Sequence, residues 1–336
     1  MKRIVAILAI LVYSSMSAFG AEYRVLTRYP ISGTEGWDYI TVDSAARRVY
    51  VSHGIRVNVL NADSGALIGT IEDTPGIHGI AIAGREGHGF TSNGKENKVS
   101  MFDSSTLAVI KKIDTGKGPD GIYYDKTSQR IFTNNHGSHN ITAIDSATGN
   151  VVGTVEIEGD GEGAVTGKDG LIYVALEDKN EIAVFDPKTL EVKRRIPLEN
   201  IKAPTGLAID VKNDRLFVGG HNKTMAILDG ASGKQIASFP TGSGTDAAGF
   251  DERNRRIFVS NGEGNLTVIQ QHSANKYVAQ APVMTQPSAK TMALDEKTGK
   301  IMLLAANVIS TPAADPSNKP TKTITEGTFC VLVVGK

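Results

Sequence analysis

The sequence predicts an all-β protein: a seven-bladed β-propeller of four-stranded antiparallel blades, with the last blade closed by the N-terminal strand. Three observations predict it: a repeat of near-constant period, one strand-and-turn grammar inside every unit, and a spare strand ahead of the first unit. In the repeat, an aromatic residue precedes β-branched and small residues. Its copies are Tyr50-Val51-Ser52-His53, Phe90-Thr91-Ser92-Asn93, Phe132-Thr133-Asn134-Asn135, Tyr173-Val174-Ala175-Leu176, Phe217-Val218-Gly219-Gly220 and Phe258-Val259-Ser260-Asn261, with Met302-Leu303-Leu304-Ala305 a degenerate seventh. Their first residues lie 40, 42, 41, 44, 41 and 44 positions apart, a period in the range of four-stranded propeller blades.

The grammar of each unit is that of paired hairpins. A short apolar first strand, such as Gly79-Ile80-Ala81-Ile82 or Gly206-Leu207-Ala208-Ile209, runs into an acidic turn at Asp43, Asp125, Asp210, Asp251 or Asp295. The repeat is the second strand. The third, such as Ile141-Thr142-Ala143-Ile144, alternates and ends in Asp145-Ser146-Ala147-Thr148-Gly149 or its relatives at Asp103, Asp186 and Asp229. An Asp opening such a turn bonds its own backbone, and a Gly just after supplies positive φ. A fourth strand follows, as from Leu67 to Ile71. No apolar period of 3.6 residues and helical length appears, which argues against βαβ folds. The last unit has three strands, the third from Phe329 to Val334, whereas Tyr23 to Tyr29 precedes unit one and reads as a fourth strand. Pairing the two removes the open edges of the stack.

Composition narrows the function classes. The 336 residues hold 36 Lys+Arg against 36 Asp+Glu, which argues against a nucleic-acid binder that works by phosphate neutralisation. With 40% hydrophobic and 21% charged residues the composition is globular, not disordered. The single cysteine, Cys330, excludes an intramolecular disulfide and any Cys-based zinc or iron–sulfur site, and its apolar neighbours predict a buried strand. Lys2 and Arg3, the apolar run Ile4 to Val12 and the small-x-small Ala18-Phe19-Gly20 have the layout of a secretory signal peptide over 1–20. The expected product is one propeller over 21–336, periplasmic or secreted, monomeric and with no transmembrane segment.

The Tyr/Phe-Val-x-Asn-like second strands and the Asp-x-x-Thr-Gly turns resemble those of the YVTN-repeat β-propellers, in particular the secreted YncE-like bacterial group, from about Tyr23 to Lys336. Units four, five and seven depart from the motif, at Ala175-Leu176, Gly219-Gly220 and Met302 to Ala305. The resemblance implies a propeller outside the cytoplasm. Some relatives are described as binding DNA or redox partners, and lactonase-type propellers are cousins.

Candidate chemistry projects onto one rim of the channel. First strands line a propeller's channel, and their starts share a face with the loops after the second strands. That face collects Trp37, Asp38, His53, His78, Asp120, His136, Glu162, Glu177, His221, Asp246 and Lys290. Asn93, Asn134 and Asn261 also fall there, and as motif positions they read as satisfying blade backbone groups. His53, His78, His136 and His221 stand where other copies carry different residues, and together with Glu162 and Glu177 they are candidate ligands for a divalent metal. No local metal-binding spacing joins them, since they come from different units. Trp37 reads as a stacking wall or as rim packing, and Lys290 as an anion contact or a partner of Asp246 or Asp38. The segment 306–327, with Pro312, Pro316 and Pro320, breaks the period and is expected to be a long loop over the rim, a lid or a docking strand. The leading reading is a module that binds a small molecule or a protein partner at this rim. One alternative is a lactonase-like or other hydrolytic enzyme with a rim metal or His78 as base and Asp120 or Glu162 as partner. The other is a scaffold for a periplasmic redox system.

Overall fold

The protein is described by a computed structural model covering residues 22–311 and 321–336. The predicted signal peptide and the centre of the predicted long loop, residues 312–320, lie outside the described residues. Seven antiparallel sheets are each ordered from the channel outwards in chain order, apart from the last. The innermost strands are Ile40–Asp43, Ile77–Ala83, Pro119–Asp125, Gly161–Thr166, Pro204–Asp210, Thr245–Asp251 and Met292–Asp295. In the seventh blade the order is Met292–Asp295, Lys300–Ala305, Cys330–Gly335 and then Arg24–Pro30, so the N-terminal strand closes the ring as expected. Its register runs from Arg24↔Gly335 to Pro30↔Cys330, with one irregularity between Val25 and Thr27. Among the described residues no helix is long and apolar enough to cross a membrane.

The repeat aromatics form the cement between blades. Tyr50, Phe90, Tyr173, Phe217 and Phe258 are fully buried, and each such side chain contributes about 1.5–3 kcal/mol by leaving water. Phe132 meets Phe185 of the next blade edge-on, with ring centroids 5.3 Å apart, and Phe217 meets Phe250 at 5.1 Å. Nearer the axis the blades crowd. A Cβ on Gly79 would lie 2.8 Å from Ile122 Cγ2, and one on Gly206 would lie 2.9 Å from the Ala247 carbonyl carbon. Glycine therefore stands third in the innermost strand of blades two to five, at Gly79, Gly121, Gly163 and Gly206.

Three local features differ from expectation. The turn after the third strand ends in Leu107 (φ 66) and Leu190 (φ 64) in blades two and four, where a glycine is expected. A left-handed leucine costs about 1–2 kcal/mol, and the side chains offset it by packing into the interblade cores. In blade six the outer strand is split into Lys276–Ala279 and Val283–Met284, both paired with Asn265–Ser273. Pro282 sits in the break, where a missing N–H is tolerated. Finally, the ends of segment 306–327 are not irregular: Val308–Thr311 pairs with Thr321–Ile324 as a two-stranded ribbon. The β-branched residues Val308, Ile309, Thr311, Thr321, Thr323 and Ile324 carry strand propensity that the prolines between them obscure in the sequence.

Candidate functional site

The rim is assembled from one position per blade, the second residue of the innermost strand in blades two to six and the residue two before its start in blades one and seven: Asp38, His78, Asp120, Glu162, Thr205, Asp246 and Lys290. The third residue of the second-strand repeat anchors them. Ser52 Oγ accepts from the Asp38 N–H at 2.8 Å. Ser92 Oγ accepts from the Gly79 N–H at 2.8 Å and donates to the Asp120 carbonyl of the next blade. Asn134 Nδ2 donates to the Glu162 carbonyl at 2.8 Å, and Ser260 Oγ donates to the Lys290 carbonyl at 2.5 Å. The backbone at Asp38, Gly79, Asp120, Glu162 and Lys290 is thus pinned by a second-strand side chain of its own or the preceding blade. The recurrence of a small polar residue at that position is the signal for it in the sequence.

The side chains form a chain of charge contacts around the mouth. Lys290 Nζ lies 3.2 Å from Asp246 Oδ1 and 3.8 Å from Asp38 Oδ1. His78 Nδ1 donates to Asp38 Oδ2 at 2.8 Å and stands 3.5 Å from Asp120 Oδ2. His136 continues the line, with Nδ1 3.8 Å from Asp120 and Nε2 3.5 Å from Glu162, while Nε2 donates to the Gly161 carbonyl at 2.8 Å. On the far side His221 Nδ1 lies 3.5 Å from Glu177 Oε1. Burial works against the charged form of His78, but the hydrogen bond to Asp38 and the charges of Asp120 and Asp38 outweigh it and raise its pKa. Burial also raises the carboxyls of Asp120 and Asp246, only partly opposed by His78 and Lys290 respectively. Glu162 is pushed well above the usual carboxylate range, first by burial and then by the Asp120 charge.

Sequence reasoning does not single out Tyr39. Its hydroxyl crosses the channel from blade one to donate to Glu162 Oε2 of blade four at 3.0 Å. Burial and the Glu162 charge raise the phenol well above its ordinary pKa, so it is a donor throughout the physiological range. A signal does exist: Tyr39 occupies the position that is glycine in blades two to five. Above it lies a cavity of about 360 Å³ whose walls include Asp120, Glu162, Glu177, His221, Asp246 and Lys290.

Four candidates lie outside the walls of that cavity: His78 and His136, which flank Asp120 on the rim, and His53 and Trp37, which stand further off. His53 is fully buried, its Nδ1 bonded to Asn58 Oδ1 at 2.8 Å and its ring 4.8 Å from that of Phe329. It fills the repeat's asparagine position, the place where Asn93 binds Ser100 and Asn261 binds Thr267. Burial lowers its pKa and keeps it neutral. Trp37 stacks on Phe329 at 5.0 Å and lines a separate groove of about 670 Å³ beneath the Val308–Thr311 ribbon. The four histidines do not converge. Among the described residues a three-ligand cluster is formed by Asp38, His78 and Asp120, whose ligand atoms all lie within 4.8 Å of one another.

Residues 59–247 match the model of a protein family described as a domain of unknown function, DUF5074. The chain belongs to the DUF5074 family. No curated protein matches it. Among solved structures, a chain in the crystal structure of the mitotic checkpoint complex is similar with a TM-score of 0.73 and 14% identity, covering 97% of this chain and 99% of that one. A chain of hydrazine synthase from Kuenenia stuttgartiensis is similar with a TM-score of 0.69 and 17% identity, over 88% and 98%. At these identities the likeness shows the propeller fold alone. The DUF5074 match takes in His78, Asp120, Glu162, Thr205 and Asp246 and stops short of Asp38, Tyr39 and Lys290. Chemically the mouth offers five carboxylates, three imidazoles and one ammonium on the inner strands and the loops beside them, a set suited to holding a ligand with positive charge.

Proposed function

We propose that this DUF5074 protein is a YVTN-type binding module that works outside the cytoplasm as a monomer and captures a small cationic ligand at the channel mouth. One observation carries the reading: the mouth carboxylates are short of partners. The Asp120 carboxylate accepts no hydrogen bond among the described residues, its nearest donor being His78 Nδ1 at 3.5 Å, and Lys290 is the single ammonium shared by Asp38 and Asp246. Carboxylates held under-neutralised in a partly desolvated cavity gain most when a cation arrives. The signal-peptide layout of 1–20 and the resemblance to secreted propellers support the location.

Calorimetric titration of the tag-free mature chain with a linear polyamine, a quaternary ammonium compound and divalent ions tests it. At least one is expected to bind, with affinity falling as salt rises and weakening at least tenfold in both Glu162→Gln and Asp246→Asn. Silence from all three probes, or unchanged affinity in both variants, rejects the reading. The mass of the protein recovered from the extracytoplasmic fraction tests location; retention of residues 1–20 rejects it.

A further inference from the structure

The geometry points to a divalent transition-metal site formed by Asp38, His78 and Asp120, which rests on the mouth being the ligand site and names the ligand class. Metal–ligand bonds of about 2.1 Å to nitrogen and oxygen set ligand atoms roughly 3.0–3.4 Å apart in octahedral or tetrahedral geometry. His78 Nδ1 stands 2.8 Å from Asp38 Oδ2 and 3.5 Å from Asp120 Oδ2, and the whole triangle fits within 4.8 Å. The two edges from His78 are within a few tenths of an ångström of that spacing, and the Asp38–Asp120 edge, at most 4.8 Å, must shorten by up to about 1.4 Å (4.8 − 3.4) to close on an ion.

The triangle is built rather than incidental. Its three members stand at equivalent positions at the rim end of three successive innermost strands, and the Ser52 and Ser92 hydroxyls pin the backbone of Asp38 and Asp120. Behind the imidazole lies Gly94, where a Cβ would sit 2.8 Å from His78 Nε2. That glycine leaves room for the ring to present Nδ1 to both carboxylates, so it is a positioning residue. Ligand supports of this kind decide whether a metal site is tight. One imidazole with two carboxylates suits zinc, manganese, iron or cobalt, whereas calcium prefers an all-oxygen shell. Two carboxylates and a neutral imidazole neutralise a divalent ion. On binding, the metal takes the Nδ1 lone pair, the Nδ1 proton leaves to solvent, and Nε2 keeps its proton. Lys290, 3.8 Å from Asp38 and 3.2 Å from Asp246, then pairs with Asp246 alone. Three protein ligands leave coordination positions open towards the cavity, the arrangement of sites that admit water or a small ligand.

The test is titration of chelator-stripped, tag-free mature protein with cobalt(II) chloride and zinc sulfate, read by calorimetry and by cobalt visible absorption. One ion per chain is expected, with at least tenfold weaker binding in His78→Gln and in Asp120→Asn and a changed cobalt spectrum in Gly94→Ala. Asp38→Asn supplies an independent ligand variant if one of the others fails to fold. His88→Gln and His139→Gln, which lie outside the mouth, are expected to bind as the parent does. Binding below one ion per chain, survival of binding in the ligand variants, or equal loss in the two outside variants overturns the site. If the organic cations bind while cobalt and zinc do not, the metal inference fails and the cation-binding reading stands. If none of them binds, both fail.

Discussion

The two mouths of the channel both carry carboxylates, fully buried at one and partly buried at the other, and treat them in opposite ways. At the mouth formed by the turns after the inner strands, Asp125, Asp210, Asp251 and Asp295 are at most 3% exposed, and each is supplied with donors. Asp125 accepts from the Ser128 N–H and hydroxyl and from Thr166. Asp210 accepts from Asn213 and from Gln271. Asp295 accepts both Arg47 Nη1 contacts, at 2.9 and 2.8 Å, besides the Thr298 hydroxyl. At the other mouth Glu162 has Tyr39, Asp246 has Lys290, and Asp120 has only charges beyond hydrogen-bonding distance. The protonation tendencies follow. Burial alone would raise the Asp295 carboxyl, but Thr298, Ser44 and Arg47 outweigh it and hold it low. Burial raises Asp120 with too little opposition. A carboxylate withdrawn from water is structural when saturated with donors, and one left partly exposed and short of donors is available for a ligand.

Four experiments break or sharpen this contrast. Both mouths exist only while the ring is closed, so deletion of residues 22–31 is expected to have the largest effect, abolishing cooperative thermal unfolding or driving aggregation. A melting temperature within a few degrees of the full chain's would remove the basis of the comparison. Next, Asp295→Asn leaves Arg47 with the exposed Asp63 as its only carboxylate partner and should cost about 1–3 kcal/mol in urea unfolding, whereas Asp120→Asn should cost under about 1 kcal/mol. Equal losses would erase the distinction.

The third experiment reads pH. The folded Glu162 pKa lies above its unfolded value of 4.5, so the fold binds the extra proton. The stability this contributes is present below the unfolded pKa and declines as pH rises through the folded one. Asp295, with its folded pKa below 3.8, behaves in the reverse sense: its stabilisation is present above that value and lost as pH falls through the folded pKa. Glu162→Gln should therefore flatten the fall in melting temperature above about pH 4.5 and raise the melting temperature at neutral pH, since each tenfold difference in proton affinity between the folded and unfolded chain is worth about 1.4 kcal/mol. An unchanged pH profile would show that Glu162 titrates as in water. Smallest is Tyr39→Phe, which removes one hydrogen bond and should cost about 1 kcal/mol. A stability change several times larger would mean that Tyr39 braces the ring rather than serving the mouth.

The blades are legible in the sequence because the repeat is a packing demand: Phe90, Phe132 and Phe258 recur where each sheet must fill the gap to the next. The rim is legible for the same reason, since a fixed period turns a residue number into a place, and Asp38, His78, Asp120, Glu162, Asp246 and Lys290 fall together. His53 does not belong on that rim because strand alternation, not loop position, aims its side chain inward, where it takes over the motif asparagine's bonding. Tyr39 escapes notice because its importance lies in standing where blades two to five carry glycine, a comparison between units rather than a property of its own segment. The ribbon of Val308–Thr311 and Thr321–Ile324 reads as loop because its two halves are separated by three prolines.

The seam between Arg24–Pro30 and Cys330–Gly335 joins opposite ends of the polypeptide. Nothing synthesised early can complete this contact until the final residues have emerged, so the seventh blade is the last to mature and the molecule stays an open arc for most of its synthesis. A chain truncated near its C-terminus would therefore lose more than a few residues: it would leave Arg24–Pro30 without its neighbour and expose an unpaired strand at each end of the arc, available to a second copy.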